Sequence, residues 1–215
     1  MSQEKPWRGV AVLAALALAM AATVGAQDDE GVKQVERLVK AAGNTVKAVG
    51  DTKVQLMKTM DVYNALMADD ATDRKKLYKS LQKEMENAEK RRAKVDEESA
   101  KMSAEADTLF KQWTDSAAAI ENPDLRKKSD DRLAATKASY AEIGTVGRKA
   151  GDLYGPFMKA LQDQVTFLGH DLNPSAVADL KPEAKKVNEA ASELTQGIDD
   201  MIGTANKNIA ALRPA

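Results

Sequence analysis

His170 is the single histidine of the chain, and Asp171 stands beside it with Asp163 and Gln164 two helical turns back. An imidazole with carboxylates in reach could hold a metal. Helical bundles that do so supply several carboxylates and a Glu-x-x-His pattern from paired helices. No Glu-x-x-His occurs here. His170 is therefore expected to pack or cap a helix end beside Asn173, which reads as the turn residue before Pro174. Nucleophilic catalysis lacks its parts as well. There is no Gly-x-Ser-x-Gly, and the serines fall in helix seams or turns without a histidine partner. No glycine loop could cradle a phosphate. The absence of cysteine excludes a disulfide framework, a thiolate metal site, a thiol nucleophile and a lipid on an N-terminal cysteine. The expectation is a non-enzymatic protein with no cofactor, metal or small-molecule substrate.

The remaining side chains with binding potential are charged or soft. Arg74-Lys75-Lys76, Lys90-Arg91-Arg92 and Arg126-Lys127-Lys128 form basic clusters, each flanked by acidic residues. Such patterning reads first as solvated helix faces. Contact with phosphate or an anionic membrane surface is the less favoured reading. With a formal net charge of -1, nothing points to nucleic acid. Met57, Met60, Met85, Met102, Met158 and Met201 lie at or beside seam positions, where methionine fills core.

The elements that must position these residues are helices. Charged residues make up 30% of the chain and aromatics 4%, a mixture suited to long helices. Lys5 and Arg8, an apolar run from Val10 to Val24 and small residues at Val24-Gly25-Ala26 fit a secretory signal peptide over residues 1–26, with cleavage after Ala26. The run is shorter than the ~20 residues of a spanning helix; an uncleaved anchor is the alternative. Residues 27–215 then read as one helical coiled-coil domain, with helices near 32–67, 73–120, 124–172 and 175–212.

The seams alternate steps of three and four, as in a left-handed coiled coil. In the first helix they include Val35, Val39, Ala42, Val49, Leu56 and Met60, with Lys53 the one charged member. The second and third read Leu81, Met85, Ala88, Arg92 through Ile120, and Leu133, Tyr140, Ile143 through Leu168. Short connections demand antiparallel neighbours. The expected fold is all-α: an elongated antiparallel four-helix up-down coiled-coil bundle, organised around a hairpin from Leu77 to Leu172 in which helices 2 and 3 are longest. Folding about residue 122 predicts a buried pair between Arg92 and Asp152, because a charge in a seam is costly unless paired. The same argument brings Lys53 toward Glu89. Beyond the starts of helix 1 and the end of helix 4, the hairpin tip should project by about 18 Å. That tip carries Phe110, Trp113, Ile120, Leu125, Arg126, Lys127 and Lys128, and it is the predicted docking place for a protein partner or another copy.

Residues 163–180, DQVTFLGHDLNPSAVADL, give a further clue. Asp163, Gln164, Val165, Leu168, His170, Leu172, Asn173, Ala176 and Leu180, with Leu109-Phe110-x-x-Trp113, Thr136-Lys137-x-x-Tyr140 and Pro156, resemble a bacterial family known only as domain of unknown function 2959. The resemblance implies an exported, largely coiled-coil protein of Gram-negative bacteria. Members often carry a lipobox cysteine; its absence here implies a soluble periplasmic form. The family brings no catalytic residues. The favoured function is protein–protein interaction or structural spacing in the cell envelope. The alternative is a client-binding periplasmic chaperone, and a metal-binding helical bundle stands third.

Overall fold

The structure, a computed structural model, describes residues 28–212. The expected signal segment, its cleavage point after Ala26 and the closing Arg213-Pro214-Ala215 lie outside them. The described residues form an all-α protein of five helices in the order α1 (Asp28–Met67), α2 (Arg74–Ala118), α3 (Pro123–Leu168), α4 (Pro174–Asp179) and α5 (Lys181–Leu212), with no strand among them.

Local chemistry sets the helix starts. The Asp73 side chain accepts from the backbone N–H of Lys76 at 3.0 Å and caps α2. Asn122 accepts from Asp124 and Leu125 at 3.0 and 3.2 Å, with Pro123 opening α3. Asn173 does the same for α4 through Ala176 at 2.9 Å, with Pro174 first. Asparagine followed by proline, at Asn122 and Asn173, satisfies orphan donors and fixes helical φ at the same point. The last expected helix is divided in two. Pro182 has no N–H for the carbonyl of Ala178, so the hydrogen-bond ladder stops at Leu180 and α5 starts afresh. Pro156, in contrast, sits inside an unbroken α3.

Packing corrects the expected hierarchy. The tightest pair is α1 with α2; α5 packs against α3 and then α1, and α2 against α3 is the thinnest of these interfaces. The hairpin from Leu77 to Leu172 is therefore not what the chain is built around. The difference is side-chain size. Ala41, Thr45, Ala48, Thr52 and Thr59 of α1 are buried, and Ala88 and Ala106 are among the buried residues of α2. Small side chains let two helix backbones approach closely. The α3 core instead carries Tyr154, Phe157 and Leu161, which hold neighbours further off. Each buried threonine donates its hydroxyl to the carbonyl four residues back, Thr45 to Ala41 at 3.1 Å, Thr52 to Ala48 at 2.9 Å and Thr59 to Gln55 at 2.8 Å. That local bond satisfies the polar atom without widening the interface.

The core has two parts. The larger runs from Val49 to Met67 on α1 with Leu81 to Ala88, Ala150 to Leu168 and Val177 to Met201. The smaller joins Leu38, Ala42, Met102, Leu109, Ile143 and Ile209. Gly43 and Gly50 lie in α1 with nothing within 4 Å of an added Cβ, whereas a Cβ on Gly169 would stand 2.8 Å from the Tyr78 hydroxyl. Gly43→Ala and Gly50→Ala should each raise unfolding stability by roughly 0.5–1 kcal/mol, and Gly169→Ala should lower it. Chemical denaturation monitored by helicity measures all three.

Candidate functional site

The buried polar groups concentrate where α1 meets α2. Gln34 donates through Nε2 to both the carbonyl and the carboxylate of Glu105, at 3.1 and 3.0 Å. Gln55 repeats the arrangement on Glu84 at 3.1 and 2.8 Å. The clamps lie three heptads apart on each helix, and their order shows that the helices run antiparallel. A side-chain amide reaching the opposite backbone is possible only because the backbones are close. Glu84 also accepts from Asn87 at 3.2 Å and pairs with Lys58 at 3.0 Å. The amide of Gln55, with Lys58 and Asn87, outweighs desolvation and holds this carboxyl at about 2. Glu98, also buried, is held below the usual carboxylate range by Lys94 and Lys101. None of Gln34, Gln55, Glu84, Glu98 or Glu105 was expected to matter. The recurrence of Glu84, Glu98 and Glu105 in one heptad register was the available signal.

Two expected pairs are corrected. Arg92 makes its ion pair with Asp96 on its own helix and lays its guanidinium 5.9 Å from the centre of the Tyr154 ring. Asp152 is exposed and makes no ion pair with Arg92. The side chain of Arg92 is 32% exposed, so the charge reaches water while the stem stays against the helix. Lys53 pairs with Asp199 of α5 at 2.6 Å, and Glu89 instead accepts from the Tyr154 hydroxyl at 3.3 Å. Predicting Lys53 toward α2 failed because that seam position of α1 faces α5. Burial, then Glu89, pushes the Tyr154 hydroxyl up.

The family-like stretch has mostly structural roles. Gln164 is buried and accepts from the hydroxyl of Tyr63, itself fully buried and raised in pKa by that burial. Leu172 packs against the larger core. Asn173 caps α4, and Asp171 accepts from its backbone N–H at 2.9 Å. His170 is exposed, and its backbone N–H donates to the Phe167 carbonyl at 3.2 Å. Asp163 faces outward on α3, apart from the others.

At the α2–α3 turn, Phe110 is half-buried and stacks edge-on against Tyr140, centroids 5.7 Å apart, with the Lys137 ammonium 5.6 Å from its centre. Trp113 donates from its indole to Ser129 at 3.0 Å. Both aromatics thus bind the two strands of the tip together. Ile120 is half-buried and Leu125 is 54% exposed. Lys127 pairs with Asp131 at 2.8 Å, whereas Arg126 and Lys128 make no ion pair among the described residues. The clamp register sets Asp28 beside Lys111. The Asn208 amide, bonded to the Ser139 carbonyl at 3.0 Å, sets the end of α5 short of the tip in the same way. Past these points, among the described residues, α2 and α3 run on without α1 or α5.

Among the described residues no cluster of His, Asp or Glu has metal-ligand spacing, and no helix is long and apolar enough to cross a membrane. Two surface grooves stand out among the described residues. One, about 440 Å³, lies between α2 and α3 around Met85 and Met158; the other, about 540 Å³, lies between α3 and α5 around Pro156 and Phe167.

The family described as "Protein of unknown function (DUF2959)" matches residues 24–212, and the chain belongs to it. Comparison with curated proteins gave no match, and neither did comparison with solved structures.

The Glu84 clamp has a pH signature. Its carboxyl titrates lower in the folded chain than the ordinary 4.5, so its stabilisation is complete above that pH and is lost as pH falls toward about 2. Glu84→Gln should therefore cost about 1 kcal/mol near neutral pH, a low-end value because Lys58 is open to water. The gap to the unsubstituted chain should close in acid. Denaturant titrations across that pH range check both points.

Proposed function

We propose that this member of the DUF2959 family is a non-enzymatic protein of the cell envelope, exported by a cleaved signal peptide and built as an elongated antiparallel up-down four-helix bundle. In this reading it holds or spaces a protein partner through the tip formed by the end of α2 and the start of α3. The observation that carries it is the tip's surface. Leu125 is exposed beyond the last described neighbours of α1 and α5; Arg126 follows it and Lys128 stands one turn on, and neither has an ion-pair partner among the described residues. An apolar side chain beside two such cations is suited to contact with a protein that offers apolar area and carboxylates. Phe110 and Trp113 support that surface from below by locking the two helices in register. The long helices behind the tip supply distance rather than chemistry: the 46 residues of α3 extend about 70 Å at 1.5 Å per residue.

Leu125→Asp combined with Arg126→Ala and Lys128→Ala should abolish a specific cross-link made in intact cells from a photoreactive residue at the neighbouring exposed Glu121, with helicity unchanged. A photoreactive residue at exposed Val54 serves as the control. Survival of the cross-link in the triple variant, or broad suppression of client aggregation that the triple variant leaves intact, would overturn tip docking and favour a holdase.

A further inference from the structure

The outer groove between α3 and α5 has a composition that the tip does not share. Its floor is apolar: Pro156, Ala160 and Phe167 come from α3, Leu180 from the junction of α4 and α5, and Ala190 from α5. Phe167, in the last turn of α3, is 45% exposed at the end of this floor. Ala160 and Ala190 are small enough for another backbone to come close. From Asp152 to Phe167 the groove runs about 20 Å at 1.5 Å per residue, the length of roughly four helical turns.

Its rim is acidic. Asp152 and Asp163 stand on the α3 side, and Glu183 and Glu193 on the α5 side. The one cation at the groove, Lys186, is taken by Glu183 at 2.6 Å. Asp152, Asp163 and Glu193 are exposed and have no ion-pair partner among the described residues. Pro156 adds a further acceptor: it has no N–H to donate to the carbonyl of Asp152, one turn back on the same face. An apolar floor between two acidic walls repels an acidic helix or an anionic lipid surface. It complements a helix with an apolar stripe edged by lysine or arginine, whose long stems cover the floor's margins while their charges meet the carboxylates. The methionine groove between α2 and α3 lacks this match, since Lys159 lies in its lining and Lys90 neutralises Glu86 at 2.7 Å.

We propose that the α3–α5 groove is a second docking surface, which receives a basic amphipathic helix of a partner protein. This surface is independent of the tip, so either proposal can fail alone. The probe is a fluorescein-labelled model helix of about four turns, with a leucine stripe edged by lysines, titrated against the intact chain by anisotropy. Its counterpart carries glutamate in place of every lysine. The lysine helix should bind and weaken with added salt, and the glutamate helix should not bind. Asp163→Lys with Glu193→Lys should weaken the lysine helix at least ~10-fold, as two lost charge contacts imply, and Phe167→Asp should do the same. Glu121→Lys with Asp130→Lys, which makes the same change of charge at the tip, should leave binding unchanged. Equal binding of both helices, or equal weakening by the tip double variant, would reduce the effect to general charge and overturn the proposal. So would preferential binding to phosphatidylglycerol vesicles, or self-association of the free chain that Phe167→Asp abolishes, which would make the occupant a membrane or a second copy.

Discussion

The close contact of α1 with α2 is the constraint on which the rest depends. Alanine and threonine at the interface remove side-chain bulk, and the gain is backbone proximity rather than a large apolar area. Proximity then permits Gln34 and Gln55 to reach across to the carbonyls and carboxylates of Glu105 and Glu84. A shift of the helices by one turn would leave the buried Gln34 amide and Glu84 carboxylate unpaired, which costs more than the bonds contribute when made. The two clamps therefore act as register stops at either end of an interface that small side chains alone would allow to slide.

The remaining helices are added to this pair with larger side chains and looser spacing. α5 is tied to α1 by Lys53 with Asp199 and by the reciprocal amides of Asn64 and Asn188 at 3.0 and 2.9 Å. Tyr63 and Gln164 join α1 to α3 through the centre. Among the packed pairs of long helices, α2 and α3 touch less than α1 with α2, α3 with α5 or α1 with α5. α2 and α3 continue as a two-stranded tip, held by Phe110, Tyr140, Trp113 and Ser129. The outward faces of α3 and α5 flank an open groove because α3 presents Pro156 and Ala160 there, with Phe167 only partly covered.

Hydrophobic periodicity reveals one face of each helix well. The α3 seam from Leu133 to Leu168 is buried at Leu133, Ile143, Ala150, Tyr154, Phe157, Leu161, Gln164 and Leu168. The end of α1 at Met67 and the caps at Asp73, Asn122 and Asn173 were equally readable, because capping is a local interaction among neighbours in sequence. The second packed face of α1 was not readable. Gln34, Ala41, Thr45, Thr52 and Thr59 look like surface residues by composition, and only an opposing helix turns them into core. The division between α4 and α5 also escaped: Pro182 is compatible with a first helical turn, but which helix it begins depends on where the preceding ladder must end.

The sequence by itself determined an all-α chain, the turns before α2 and α3, the inward faces of its longest seams and its membership of the family. These follow from the period of apolar residues and from bonds made within a few residues. Tertiary structure alone decided which helices lie closest, that Arg92 turns to Asp96 and Tyr154 instead of Asp152, that Lys53 answers Asp199, and that carboxylates from α3 and α5 share one groove. A helix has several faces, and a charged side chain has several partners within reach of its flexible stem. The choice among them is made by the rotation of each helix about its axis, which is a compromise among all its neighbours at once.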